Sequence, residues 1–488
     1  MECSLWHFSR KRAQSGARFR VRGFMTLSSP TTDRPSPRPV RRELLEGPIA
    51  TTLLRKSLPV VGGMIAMLSF NLVDSWFIAR LGTEPLAAVS FTFPVVFAVI
   101  SLAIGLGIGT SAVVARRLGQ GDLDTVRRRA TDAALLALGV GLFLTALGLA
   151  TIDPLFRLLG ADDALMPHVR DYMGIWYLGA AVVIVPRVLN SVLRAQGNTL
   201  IPGLMMAVAA LLNGLLDWLL IFGVGPFPEL GVQGAALATV ISWGAMTAAL
   251  FLQRELRDCL DFRRLPLAGM LDSWRELSRI AVPAAITSVF TPMALALVTR
   301  IVADHGHHAV AGFGVGTRID AFVQIAVLAL SMTLPPLVSQ NIGAGQHDRV
   351  RRAIFGCFGF VLAWQFAVWL LLQLLAPWLV GSYADGQAMA EVLRSFLWWV
   401  PLGLGAQGVV ILAVSSLNAL HEPGRAMRLS IIRLFALTVP LAWLGGVVAG
   451  PTGIFIGMFI ANVLVGLVAW LLIHRRLQER APPVSPSS

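Results

Sequence analysis

From residue 53 onward the chain is a succession of stretches almost free of charge, each of about twenty residues or more and each long enough to cross roughly 30 Å of hydrocarbon as a helix. Twelve can be read, at 53–79, 86–115, 131–152, 168–195, 200–223, 232–253, 278–303, 309–340, 352–379, 391–418, 428–447 and 452–473. The uncharged run 434–473 is too long for one crossing, and Gly445, Gly446, Gly450 and Pro451 mark a turn that divides it. Composition agrees: 14% of the 488 residues are charged, against about a quarter in soluble proteins, and 56% are hydrophobic. With a mean hydropathy of +0.70, the apolar surface exceeds what an aqueous core encloses and the excess faces lipid. The fold class is an all-α polytopic membrane protein with the bilayer as a partner.

Shifting the sequence by 224 residues superimposes Pro59 on Pro283, Gly82 on Gly306, and Gly119-x-Gly121 on Gly343-x-Gly345. The same shift brings Val126-Arg127-Arg128 onto Val350-Arg351-Arg352 and Leu193-Arg194-Ala195 onto Leu417-Asn418-Ala419. Six spans per half is an even number, so both halves enter the membrane from the same side as a parallel repeat. The organisation is two pseudo-symmetric six-helix lobes, 47–253 and 277–475, joined by a basic linker 254–276 whose Leu271 to Leu277 form an amphipathic turn on the membrane surface. Two related bundles with a cleft between them are the architecture of an alternating-access carrier.

Forty Lys and Arg against 27 Asp and Glu give a net charge of +13. Arg116, Arg117 and Arg127 to Arg129, then Arg254, Arg257, Arg263 and Arg264, then Arg349, Arg351 and Arg352, then Arg425 and Arg428 all fall in even-numbered loops. By the positive-inside rule those loops and both termini are cytoplasmic, in a multi-pass inner (cell) membrane protein. Short Arg clusters between apolar stretches fit membrane loops and argue against nucleic acid as a partner. Residues 1–46 are rich in Arg, Ser and Pro without an apolar run, which excludes a cleaved secretory signal and reads as a disordered basic tail, with Met25 as an alternative start. Residues 476–488 form a second disordered tail. Cys3, Cys259 and Cys357 have neither disulfide-framework nor zinc spacing.

Acidic residues within the spans are few: Asp74, Asp217 and Asp320. Under the 224 shift Asp74 maps to Val298 and Asp217 to Leu441, so the amino-terminal lobe carries two membrane carboxylates that its twin lacks. Each costs about 2.5–3.5 kcal/mol near a helix centre on insertion scales, and such residues face bundle interiors or aqueous cavities. Both sit at similar depth toward the outer side. Asn213 precedes Asp217 by four residues on one helix face, and Thr239 and Tyr172 fall in the outer halves of neighbouring spans. These polar groups either staple helices or share a pocket. For the carboxyl pair, reversible proton binding is the chemistry that justifies the cost.

Other features weigh less. His305, His307 and His308 lack an acidic fourth ligand and read as a solvated loop rather than a metal site. Arg318 and Asp320 pair with each other or with the adjoining loop, with a role in the cavity as the lesser alternative. Met173, Met205, Met206, Met293 and Met332 are candidates for lining a forgiving cavity, with packing as the alternative. Gly119-x-Gly121 lacks the Lys-Ser/Thr of a phosphate loop and is a turn, and with no catalytic set the chain reads as no enzyme.

Leu58-Pro59, Asn71-x-x-Asp74, Leu81-Gly82-x-x-x-Leu86-Ala87-Ala88, Gly119-Gln120-Gly121-Asp122, Leu193-Arg194-Ala195-Gln196-Gly197-Asn198-Thr199 and Asn213-x-x-x-Asp217 occur in that order. With Gly231-Val232-x-Gly234-Ala235-Ala236-x-Ala238-Thr239 they resemble the multidrug and toxic compound extrusion (MATE) transporters, DinF-like branch, over about residues 48 to 475. The resemblance implies twelve helices in two lobes and efflux of small organic, mostly cationic compounds by a functional monomer, in exchange for protons or sodium and with no other cofactor. It also implies an amino-terminal coupling site of Asp74, Asn213, Asp217 and Thr239, with Tyr172 and Asn190 in its outer network. A bend in the first helix accompanies Asp74 protonation in that family. Pro59 is the natural hinge, because proline leaves the carbonyl four residues earlier unpaired. Protons are favoured over sodium. A lipid-linked saccharide flippase of the same superfamily is the first rival, and a membrane-embedded enzyme or channel the second.

The topology is testable in a background with Cys3, Cys259 and Cys357 replaced by serine. Leu265→Cys and Arg480→Cys should both escape a membrane-impermeant thiol reagent applied to whole cells. Clear labelling of either removes the twelve-span arrangement.

Overall fold

The computed structural model describes residues 43–262, 269–384 and 386–479. The tail expected before Glu43, linker residues 263–268 and residues 480–488 lie outside the described residues. A short turn α1 (Glu43–Glu46) precedes α2 (Ile49–Ala79), α3 (Thr83–Gly119) and α4 (Leu123–Leu158). Then come α5 (Met166–Leu178), α6 (Ala180–Ala195), α7 (Leu200–Phe222), α8 (Gly231–Leu252) and the turn α9 (Arg254–Arg257). The second half holds α10 (Met270–Ala303), α11 (His307–Val323), α12 (Ile325–Gly343), α13 (His347–Tyr383) and α14 (Gln387–Ala419). It ends with α15 (Pro423–Ile431), a π-helical stretch Ile432–Thr438 and α16 (Val439–Glu479).

Among the described residues ten helices are long and apolar enough to cross a membrane, and the pair α5 and α6, bent by 45°, supplies an eleventh. The last run, Pro423–Glu479, contains a break at Ala449 and Gly450, where Gly450 takes a φ of 59°, so it makes two crossings and brings the total to twelve. The turn therefore sits at Ala449–Gly450, while Gly445 and Gly446 stay helical. Gly445 and Gly453 face each other's backbone across that turn, a separation a side chain would forbid.

Four boundaries differ from the sequence reading. Glu43–Glu46 belongs to the packed structure rather than to a tail: Leu44 is 2% exposed, and its carbonyl accepts from Asn341 Nδ2 at 2.9 Å. The seventh span starts at Met270, so Leu271 to Leu277 are its first turns and not a separate surface element. Gly269, at φ 89°, lets the chain turn into that helix, and Trp274 and Glu276 are drawn onto the first lobe. The stretch expected at 309–340 is two helices meeting at Gln324, where the freed Val323 carbonyl accepts from Gln365 Nε2 at 3.3 Å. The stretch expected at 168–195 bends at Gly179, whose missing side chain leaves room for Val240 of α8.

The spans alternate, so the chain ends and the Arg-rich loops share one end of the bundle, here termed the basic end. Asp122 caps α4 there, accepting from the Thr125 amide at 3.1 Å, and its hydrogen bonds with Thr125 hold its carboxyl below the usual carboxylate range.

The lobes are joined at this same end. Ser57 Oγ and Thr333 Oγ1 lie 2.8 Å apart, Gln340 Nε2 donates to the Ala195 carbonyl at 2.6 Å, and Arg129 meets Glu276 at 2.9 Å. Trp274 Nε1 donating to the Asp132 carbonyl, Asn341 Nδ2 donating to the Leu44 carbonyl and the Arg117–Glu276 pair join the lobes at the same end. Gly105 and Gly109 of α3 let the backbone of α10 approach at Ala281 and Leu277. Around the pseudo-twofold axis Gly119 abuts the Gln340 backbone and Gly343 abuts the Arg116 backbone. These are repeat-related positions making the same contact twice. Gly119→Ala and Gly343→Ala should each cost about 1–3 kcal/mol by overpacking and lower the thermal midpoint of the purified protein. Unchanged midpoints for both would remove this contact from the closure.

Candidate functional site

Asp74 and Asp217 each lie five residues from the far end of their helices, α2 and α7. Those helices are held together by small residues: a Cβ on Gly63 would sit 2.6 Å from the Gly203 carbonyl oxygen, Gly203 faces the Pro59 carbonyl, and the Phe70 ring lies on Gly214. That close approach brings the two carboxyl groups within hydrogen-bonding reach of each other. Two carboxyl oxygens in such contact attract only with a proton between them. Asp217 is completely buried and Asp74 partly so, and each retains one buried oxygen with no hydrogen-bond partner, Asp217 Oδ2 and Asp74 Oδ1. Asn213 Nδ2 makes a long contact of 3.5 Å to Asp217 Oδ1. Tyr172 of α5 is buried within electrostatic reach of both carboxyl groups.

The remaining candidates separate from this group. Thr239 turns its hydroxyl to its own helix, donating to the Ala235 carbonyl at 3.1 Å. Asn190 lies five residues from the basic end of α6, at the opposite depth, with its side-chain oxygen buried and unpartnered. Pro59 lies inside a continuous α2, so the helix is not interrupted there. Met173 is fully buried in the amino-terminal core, which corrects its assignment as a cavity residue, and Met205 packs against the same core. Met206 packs beside Val60, Met64, Ile325 and Ala329 where the lobes meet, while Met293 and Met332 remain 49% and 36% exposed.

The MatE family model matches this chain twice, over residues 59–219 and again over 283–444, in the register of the 224-residue repeat. The chain belongs to the MatE family. This MatE protein is 38% identical over 436 residues to the FAD transporter of Shewanella oneidensis, covering 89% of the chain and 96% of that protein. It is 25% identical over 438 residues to the multidrug export protein MepA of Staphylococcus aureus, covering 88% and 94%. Among solved structures it resembles the Vibrio cholerae MATE transporter VcmN in the bent form, with a TM-score of 0.83, 32% identity, and coverage of 88% and 98%. The chain is a multi-pass membrane transporter of twelve spans in two lobes, and no enzyme.

The MatE carboxy-terminal lobe holds a polar chain that sequence reading missed. Asn462 Nδ2 donates to Gln407 Oε1 at 3.3 Å, Gln407 Nε2 to Gln324 Oε1 at 3.1 Å, and Gln324 Nε2 to Asp320 Oδ2 at 3.0 Å. Asp320 thus takes a bond from Gln324, and no ion pair joins it to the exposed Arg318 among the described residues. Uncharged amides do not stand out in a charge scan, but the repeat shift exposes them: these four residues map to Ala238, Val183, Ile100 and Val96. No cluster of three or more metal-ligating side chains occurs among the described residues. His305 instead sits with Nδ1 3.1 Å from the Ile301 carbonyl oxygen and Nε2 3.2 Å from that of Gly446.

A buried carboxyl with one unpartnered oxygen does not hold a fold together. Asp217→Leu, which installs the residue found at repeat position Leu441, should leave the thermal midpoint equal to wild type or higher. Phe156→Ala, in the core of the same lobe, should cost about 3–5 kcal/mol. A large drop for Asp217→Leu would make the aspartate a structural staple.

Proposed function

We propose that this transporter exports organic compounds in exchange for protons bound at the Asp74–Asp217 pair, with the basic end in the cytoplasm. What supports this reading is the closeness of two buried carboxyl groups, each with an oxygen that has no hydrogen-bond partner, an arrangement that suits a shared proton. Losing that proton leaves two like charges side by side in a poorly polarisable site, and their repulsion drives α2 from α7. Pro59, whose ring leaves the Arg55 carbonyl without its helical donor, gives α2 a place to yield. The pair lies toward the far end, away from the bonds that join the lobes, so it receives protons from outside and releases them once the basic end opens.

Exchange of one proton for one monovalent cation moves no net charge. A second carboxyl permits a second proton, and the membrane potential then contributes about 2.3 kcal/mol per charge per 100 mV. The cargo in the first reading is a range of small, mostly cationic organic compounds, in line with the name of the MepA relative. A second reading, favoured by 38% identity over 96% of the FAD transporter, is a flavin dinucleotide.

Proteoliposomes with an imposed pH or sodium gradient test coupling, with FAD and a fluorescent organic cation as alternative cargoes. Asp74→Asn should abolish pH-driven accumulation while the protein still inserts and folds, because the amide keeps shape without titrating. Asp217→Asn should slow accumulation, and Val298→Asp in the other lobe should rescue neither. Wild-type accumulation by Asp74→Asn under a pH difference alone overturns the proton site, and dependence on sodium alone replaces the proton with sodium.

A further inference from the structure

The amino-terminal lobe contains a second polar group that the coupling pair does not use, at the basic end of the bundle. Arg187 and Arg194 lie seven residues apart on α6, which returns them to one helix face about 10 Å apart along the axis. The Arg187 guanidinium lies 4.8 Å from the centre of the Trp243 ring of α8, and its Nε is buried without a partner. Trp243 lies nine residues from the basic end of α8 and Arg187 eight from that of α6, so the stack joins the two helices at one depth. Arg194 Nη2 donates to Ser191 Oγ at 2.6 Å, and its charge lies within reach of that of Arg187.

Between the two arginines on the same face is Asn190, 4% exposed, with an unpartnered side-chain oxygen. The two ends of an amide differ little in shape, and turning it over directs its NH2 into the same space. Neither arginine has a carboxylate within ion-pair distance among the described residues, and the nearby Glu255 is engaged by Asn198. Two cations on one helix face inside a membrane protein without a counter-charge are costly, and they repel each other. A requirement of the fold would recur in the twin lobe, as Pro59 recurs as Pro283. Here the repeat partners of Arg187, Asn190, Arg194 and Trp243 are Ile411, Val414, Asn418 and Leu467. The set is particular to one lobe, and its uncompensated positive charge suits an anion.

We propose that Arg187, Asn190 and Arg194 form a phosphate-binding crevice between α6 and α8 at the basic end, with Trp243 holding the Arg187 guanidinium flat for a bidentate contact. Guanidinium groups match two phosphate oxygens in one plane, and stacking on an indole fixes that plane before the anion arrives. Arg194, one residue from the helix end, stands at the mouth, with Arg187 deeper inside. Two sources supply such a phosphate: the headgroup of an anionic phospholipid, for which basic clefts between spans are suited, or a phosphorylated solute. The proposal stands apart from the proton-coupling reading, because the crevice lies at the other end of the lobe from Asp74 and Asp217.

The test uses the full chain in nanodiscs of zwitterionic phosphatidylcholine at constant ionic strength. Phosphatidylglycerol is introduced into the discs in one arm, and inorganic pyrophosphate or FAD is added to the buffer in the other. Thermal midpoint and native mass report binding. At least one phosphate probe should raise the wild-type midpoint and appear as a bound mass. Arg187→Gln and Trp243→Leu should weaken that probe by about tenfold or more, while Asp74→Asn keeps it. A response to phosphatidylglycerol alone assigns the crevice to a lipid headgroup, and a response to pyrophosphate or FAD assigns it to a soluble phosphate. Should Arg187→Gln fail to fold, Arg194→Gln carries the same expectation. No response from the wild type to any probe, or equal responses from wild type and variants, overturns the proposal.

Discussion

Inside hydrocarbon a backbone amide or carbonyl has no water to bond, so each departure from regular helix must find a partner or a reason. That constraint explains where this chain bends. The Val323 carbonyl, released at the junction of α11 and α12, is met by Gln365. The reversal at Ala449–Gly450 falls at the end of a crossing, where one glycine with positive φ is followed by Pro451. The bend at Gly179 trades a side chain for close contact with Val240. In α2 the helix continues through Pro59, and the carbonyl left over at Arg55 lies one turn away, near the basic end.

The same economy of polar groups divides the labour between two lobes built on one plan. The first places a carboxyl pair near the far end, and the second places three amides and Asp320 in a line. At every one of these positions the opposite lobe has an apolar residue: Val298 and Leu441 against the pair, Val96, Ile100, Val183 and Ala238 against the line. In that line each amide donates toward Asp320, so the bonds polarise one another in a single direction. Duplication supplied the scaffold, and polar residues kept in only one copy broke its symmetry.

Closure rests on small residues more than on charge. Gly105, Gly109, Gly119 and Gly343 bring backbones of opposite lobes together, and in lipid such packing replaces the hydrophobic drive available in water. The ion pairs of Glu276 with Arg117 and Arg129 lie in the partly solvated basic end, where such pairs contribute modestly. A contact made of backbone fit either closes fully or opens, which suits a carrier with two alternative faces.

By itself the sequence determined the spans, the parallel repeat and the lobe that carries the extra carboxylates. Those properties depend on local runs free of charge and on one constant shift, both independent of how helices pack. It also placed Asp74 and Asp217 at one depth, with Tyr172 and Thr239 in the outer halves of neighbouring spans, because depth follows from counting residues to a helix end. Contact between side chains is another matter. Asp74 and Asp217 are 143 residues apart, and only the glycine-mediated approach of α2 to α7 brings their carboxyl groups together. Thr239 faces its own helix, Met173 lies in the core, and Leu271 to Leu277 continue into the seventh span, none of which residue spacing alone could decide. The line from Asn462 to Asp320 needs three separate helices to converge, so tertiary structure alone decides it.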